Sequence, residues 1–258
     1  FRGQEPVVWG QRSVLWGGGT GARDCLLSVP AQLAGGPATI PVFSSLLRRT
    51  AEGIIDAPSP GTYTHTFEYT GGVQTLTLPD IAINIQFTLK GGGGGGGRPD
   101  NVSNQTAGQP GSMVTALYPD PSTTGTNLKI YVASGGTKGS DIHVGAPGGF
   151  GYPAGQKGFN GEYFAEDEWA YGGAGGGGAS TIMNENNSAT FARARGGQGG
   201  NSSDWDTGFI IYGGAGGYGG GSNFYPGGTV NLTGGGCGGD TSPSDGCNGE
   251  VVITYEIP

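Results

Sequence analysis

Seven consecutive glycines, Gly91 to Gly97, sit directly behind a strand-like stretch, and six more glycine-rich runs follow them. These begin at Gly135, Gly145, Gly172, Gly196, Gly213 and Gly234, and glycine also recurs every third residue at Gly155, Gly158 and Gly161. Glycine loses more conformational freedom on folding than any other residue. Runs on this scale fold only if the missing side chains permit something that other residues forbid. The extended polyproline II conformation has about three residues per turn and no internal hydrogen bonds. With glycine facing each neighbour, such helices can approach until their N–H and C=O groups pair, and the backbone becomes the core. Buried backbone groups demand such partners. The runs therefore predict a bundle of polyglycine II helices. A flexible glycine linker is the alternative, and regular interleaving with strand-like segments argues against it.

The rest of the composition argues for a folded chain. There are 59 Gly and 16 Pro in 258 residues, but also 11 Tyr, 10 Phe and 4 Trp. Disordered chains are poor in aromatics. The net charge of −8 and pI near 4.6 make phosphate backbones and anionic membrane surfaces poor partners. No apolar run approaches the ~20 residues of a bilayer-spanning helix. Alternation at period two marks strands in YTHTFEY from Tyr63, VQTLTLP from Val73 and IAINIQFTLK from Ile81. The last should put Ile81, Ile83, Ile85, Phe87 and Leu89 on one face. SMVTALY from Ser112, NLKIY from Asn127, ASTIM from Ala179, SATFARA from Ser188 and GEVVITYEI from Gly249 read as further strands.

Residues 1–58 differ in texture, with ordinary apolar content and near-neutral charge. APSPG at Ala57 to Gly61 reads as a linker. The expected organisation is a small attachment or docking segment over 1–58 and a glycine-rich domain over 59–258. The fold class is all-β or irregular, with short strands around polyglycine II helices. Trp9, Trp16 and LSVPAQL should be buried against that domain or a partner chain. Cys237 and Cys247 flank one loop and can pair. Buried free thiols are the equal alternative.

The ordered series GGGGGGG, NLKIYVASGG, GGAGGGGAST, ARARGGQGG, GGAGGYGGGS and GEVVITYEI resembles the glycine-rich domain at the ends of phage tail fibres. More distantly it is similar to the glycine-rich region of the anaplastic lymphoma kinase receptor family. The resemblance covers about residues 60–258; residues 1–58 depart from it. It implies a polyglycine core whose connecting loops make the contacts. The implied role is that of a receptor-binding adhesin of the virion, at a tail fibre or tail tip. Its implied partners are a host cell-surface polysaccharide or outer-membrane protein, and other tail or fibre proteins. Homotrimeric assembly is compatible with that role. A structural virion protein, such as a decoration or fibre-joining component, and a cellular extracellular adhesin are the competing readings.

Loops on a rigid core are where binding residues gather. GEYFAEDEWAY carries Tyr163, Phe164, Glu166, Asp167, Trp169 and Tyr171; NSSDWDTGFIIY carries Asp204, Trp205 and Asp206; SNFYPGG adds Phe224 and Tyr225. Aromatics beside carboxylates suit sugar faces and hydroxyls, or anchors on a protein partner. Rings capping the glycine core are the competing explanation. Paired acids also suggest a glycosidase, but nothing in the sequence sets their separation. His65 and His143 belong to no nucleophile signature, and the glycine runs lack the Lys-Ser/Thr ending of a phosphate loop. DWD and AEDE offer oxygen ligands without an EF-type loop. The expectation is a non-enzymatic binding protein with no cofactor, no metal, no nucleic-acid partner and no membrane insertion.

Overall fold

The computed structural model describes residues 23–24, 48–50, 53–54, 59–98, 106–118, 127–140, 143–161, 163–165, 168–186, 188–206, 209–212, 215–240 and 244–258. The chain divides into two compact units, 1–59 and 60–258. In the first, strands β1 (Arg23–Asp24), β2 (Arg48–Thr50) and β3 (Gly53–Ile54) form a small antiparallel sheet. Trp9, Trp16 and the LSVPAQL stretch lie outside the described residues.

The second unit is all-β, with no α-helix among its described residues. Its strands are β4 (Gly61–Glu68), β5 (Val73–Thr77), β6 (Ile83–Lys90), β7 (Met113–Tyr118), β8 (Asn127–Tyr131), β9 (Tyr163–Ala165) and β10 (Glu168–Trp169). They continue with β11 (Ser180–Asn184), β12 (Thr190–Ala194), β13 (Ser203–Asp206), β14 (Phe209–Tyr212), β15 (Thr229–Asn231) and β16 (Glu250–Ile257). Two antiparallel sheets dominate: a five-stranded sheet ordered β15-β7-β6-β16-β4 and a four-stranded sheet ordered β12-β11-β8-β5. Both contribute to one apolar core. Phe87, Leu89, Val114, Val251 and Ile253 come from the first sheet, and Leu128, Ile130, Ile182, Ala192 and Ala194 from the second. Phe191 joins the two, its ring 4.7 Å from that of Tyr118 and 6.5 Å from that of Phe87. Alternation explains these choices: along β16, Val251, Ile253, Tyr255 and Ile257 turn inward while their neighbours remain partly exposed.

The β6 alternation needs a correction. Ile85, Phe87 and Leu89 are buried, but Ile81 and Ile83 are 47% and 44% exposed. Asn84 has φ of 53°, a left-handed conformation that Asn tolerates. The pairing with β16 also shifts register between Thr254 and Glu256. A bulge of this kind re-aims the side chains beyond it, so the inward face ends at Ile85.

Six strands, and the loop after a seventh, connect directly to extended glycine-rich segments. Segments 91–97, 133–140, 195–201 and 235–240 leave β6, β8, β12 and the loop after β15; segments 106–112, 170–179 and 244–249 lead into β7, β11 and β16. Three more, 144–150, 153–161 and 215–221, complete the layer. Glycines 91–97 are all buried. The N–H groups of Gly91, Gly94 and Gly97 donate to Ser112, Gln109 and Thr106. Those of Gly92 and Gly95 donate to Gly178 and Gly175, and those of Gly93 and Gly96 to Cys247 and Ser244. In turn the carbonyls of Gly91 and Gly94 accept from Gly236 and Gly239, those of Gly92 and Gly95 from Gly197 and Gly200, and those of Gly93 and Gly96 from Gly136 and Gly139. These bonds span 2.8–3.1 Å. Every third residue thus faces the same neighbour, and six segments surround the central one. It donates to three antiparallel neighbours and accepts from three parallel ones. Segment 172–178 is a second such centre, bonded to 91–97, 133–140, 144–150, 153–161, 195–201 and 215–221.

Glycine is required here for close approach, not for unusual dihedrals, since no residue of 91–97 or 172–178 has positive φ. A Cβ on Gly93, Gly94 or Gly95 would stand 1.8, 2.0 or 2.2 Å from the carbonyl oxygen of Cys237, Gln198 or Thr137. Those are three different neighbours, so no direction is open. On the flank the demand relaxes to one residue in three. Gly155, Gly158 and Gly161 face Gly176, Gly173 and Ala170, while Gln156, Lys157 and Phe159 are exposed. Cys237 and Cys247 form a disulfide between segments 235–240 and 244–249. Ser180 locks the layer to the sheets, with Oγ donating to the Lys90 carbonyl at 2.6 Å and accepting from the Ala133 N–H at 3.0 Å.

Candidate functional site

The bonding register sets the direction of every segment. Consecutive segments alternate, so 91–97, 133–140, 153–161, 195–201 and 235–240 run away from the sheets and the others return. Each outward segment must therefore connect to the next at the end remote from the sheets. Two of these connections are hairpins, β9–β10 after segment 153–161 and β13–β14 after segment 195–201.

The sequence reading treated both stretches as loops; the structure makes them paired strands. In β13–β14, Ser203, Asp204, Trp205 and Asp206 pair with Tyr212, Ile211, Ile210 and Phe209. That leaves only Thr207 and Gly208 to connect them, a two-residue link of the length that tight hairpins use. In β9–β10, Glu168 pairs with Ala165 and Trp169 with Tyr163, with an irregularity between.

The feet of the two hairpins are joined. Ser202 Oγ donates to the Gly172 carbonyl at 2.8 Å and accepts from the Arg98 N–H at 2.9 Å. Ser202 is buried, so this hydroxyl ties the outgoing arm of one hairpin to the returning arm of the other. Asn201 Oδ1 accepts from the Gly216 N–H at 2.9 Å, closing the base of β13–β14. The Arg98 guanidinium stands 4.7 Å above the centre of the Tyr171 ring, a cation–π arrangement. Arg98 and Ser202 were missed in the sequence, although an Arg ending the longest glycine run was a usable signal.

The backbone thus brings Tyr163, Phe164, Trp169 and Tyr171 to the same end as Asp204, Trp205 and Asp206. Side chains of the six on β9, β10 and β13, and the whole of Glu166 and Asp167, lie outside the described residues. Phe224 and Tyr225 do not join them. They follow a returning segment, and Phe224 bridges to Arg193 of β12 through both backbone bonds, at the sheet end. There they are 46% and 37% exposed. The two histidines have structural surroundings. His65 Nε2 lies 3.2 Å from the Tyr255 hydroxyl, with its ring stacked on that of Tyr255. The His143 carbonyl accepts from the Gly161 N–H. Burial, followed by the nearby Tyr63, pushes the Tyr255 phenol above its ordinary value of 10.0. Among the described residues no group of three His, Cys, Asp or Glu could hold a metal ion, and no helix is long and apolar enough to cross a membrane.

Comparison with known proteins yields no matching family model and no curated protein of significant similarity.

Proposed function

We propose that this chain is a phage tail-fibre or tail-tip adhesin whose polyglycine II core presents two hairpins to a bacterial surface receptor. The period-three exchange of backbone hydrogen bonds among ten extended segments supports the polyglycine II assignment. The observation that carries the functional reading is the pair of hairpins that the alternating segments gather at one end, each with a Trp in its strands. A backbone core of this kind leaves its turns free to vary, which suits a receptor-binding tip. The carboxylates of Glu166, Asp167, Glu168, Asp204 and Asp206 make the two hairpins acidic by sequence. An acidic, aromatic tip suits sugar hydroxyls and the loops of an outer-membrane protein. Residues 1–58 serve as the docking segment to the rest of the fibre or tail.

Adsorption of particles to host cells tests this reading. Trp169→Ala and Trp205→Ala should each weaken adsorption by more than ~1 kcal/mol, as loss of an interface anchor does, with unchanged assembly and melting. Normal adsorption by both variants in assembled particles would overturn it and select a structural virion role.

A further inference from the structure

A second candidate site, apolar over most of its lining but with a few polar groups, lies at the opposite end of the layer, against the sheets. A cavity of about 330 Å³ opens between segments 106–112 and 195–201 and the loops before and after β15. Arg195, Asn223, Gln109 and Thr233 supply its polar wall, and Pro110 and Leu232 its apolar one. In a chain of net charge −8, the only ionisable residue among the described ones lining it is Arg195. No carboxylate among the described residues pairs with Arg195; its Nε donates only a long bond of 3.4 Å to the Gly196 carbonyl.

Asn223 is held in one orientation. Its Oδ1 accepts from the Arg195 N–H at 2.8 Å and also from the Ser112 hydroxyl. A backbone N–H can only donate, so the oxygen of the amide must face it and Nδ2 is turned the other way. Nδ2 has no hydrogen-bond partner among the described residues. The single Ser112 hydroxyl proton has two acceptors in reach, Asn223 Oδ1 and the Arg195 carbonyl at 3.1 Å. The cavity therefore presents a guanidinium and an oriented amide donor side by side, with no opposing acid.

We propose that this cavity binds a carboxylate-bearing monosaccharide unit, such as a uronic acid, independently of the distal hairpins. A guanidinium matches a carboxylate bidentately. Asn223 Nδ2, Gln109 and the Thr233 hydroxyl suit ring hydroxyls, and Pro110 and Leu232 suit a sugar's C–H face. The volume is at the small end of ligand pockets, which fits one sugar and not a longer chain. The exposed position of Arg195 leaves the contact open to salt screening.

Titration of the full chain with methyl glucuronoside, followed by amide chemical shifts, tests the site. Saturable binding is expected, with shifts at Gly196, Asn223 and Thr233. It should weaken at least tenfold in Arg195→Gln and in 0.5 M salt, and methyl glucoside should bind at least tenfold more weakly. Asn223→Asp should also abolish it by setting a carboxylate against the ligand. Its far-ultraviolet dichroism must match wild type, and Arg195→Gln serves as the arbiter if it does not. Absence of saturable binding, equal affinity for the neutral glucoside, or undiminished binding in Arg195→Gln would overturn the proposal.

Discussion

Replacing Gly94 by Ala adds one methyl group at the middle residue of the central segment, which is enclosed on all sides. Its Cβ would stand 2.0 Å from the Gln198 carbonyl oxygen, against 3.4 Å where ordinary contact begins. Segment 195–201 must retreat by roughly 1.4 Å to restore van der Waals separation. The bonds from Gly197 to Gly92 and from Gly200 to Gly95, each 2.8 Å, flank that contact. The same retreat carries both beyond hydrogen-bond range, which ends at about 3.2 Å. A buried donor or acceptor without a partner costs about 1–3 kcal/mol, and two broken bonds orphan four such groups. Yielding in the opposite direction breaks other bonds, because Gly94 also bonds Gln109 and Gly239. The loss should reach at least about 4 kcal/mol, a large share of the ~5–15 kcal/mol that holds a typical domain together. Urea denaturation of the full chain measures it. Gly72→Ala is the matched control, since a Cβ there meets nothing within 4 Å. It should change stability by no more than ~0.5 kcal/mol. A Gly94→Ala cost below about 1 kcal/mol, or one equal to that of Gly72→Ala, would refute a core made of backbone. Gly175→Val and Gly176→Val, whose Cβ atoms would lie 1.8 and 2.2 Å from the Pro147 and Tyr218 carbonyl oxygens, should be at least as damaging.

Deleting residues 1–58 should abolish incorporation into particles yet leave 59–258 folded; limited proteolysis and dichroism report the second, and loss of the strand signal would make the first unit part of the fold. Alkaline pH should erode stability through Tyr255. The unfolded chain releases this proton near pH 10 while the folded chain holds it longer, so stability is intact below that pH and falls as pH rises through the elevated folded value. Tyr255→Phe should remove that part of the alkaline slope, and an unchanged slope between pH 9 and 11 would rule the group out.

The sandwich strands were legible because alternation at period two survives wherever one face is buried, as in β16 and most of β6. Ile81 and Ile83 escaped that logic because Asn84 breaks the parity, and nothing in INIQFTLK announces a bulge. The need for glycine was legible in the runs, but not which run touches which. Within Gly91 to Gly97 all seven residues look alike, although successive ones face three different segments. Only the flank, at Gly155, Gly158 and Gly161, shows its period, because there just one side is crowded. The grouping of the candidate site could have been reached from sequence by parity. If consecutive runs alternate in direction, the connection after an outward run lies at the far end and the one after a returning run lies at the sheets. GEYFAEDEWAY and NSSDWDTGFIIY each follow an outward run, whereas SNFYPGG follows a returning one. Counting afresh from NLKIY and SATFARA, the strands that launch the runs at Gly135 and Gly196, therefore separates Phe224 and Tyr225 from Trp169 and Trp205. The same count sends Arg195, which begins an outward run, and Asn223, which ends a returning one, to the end that the cavity occupies.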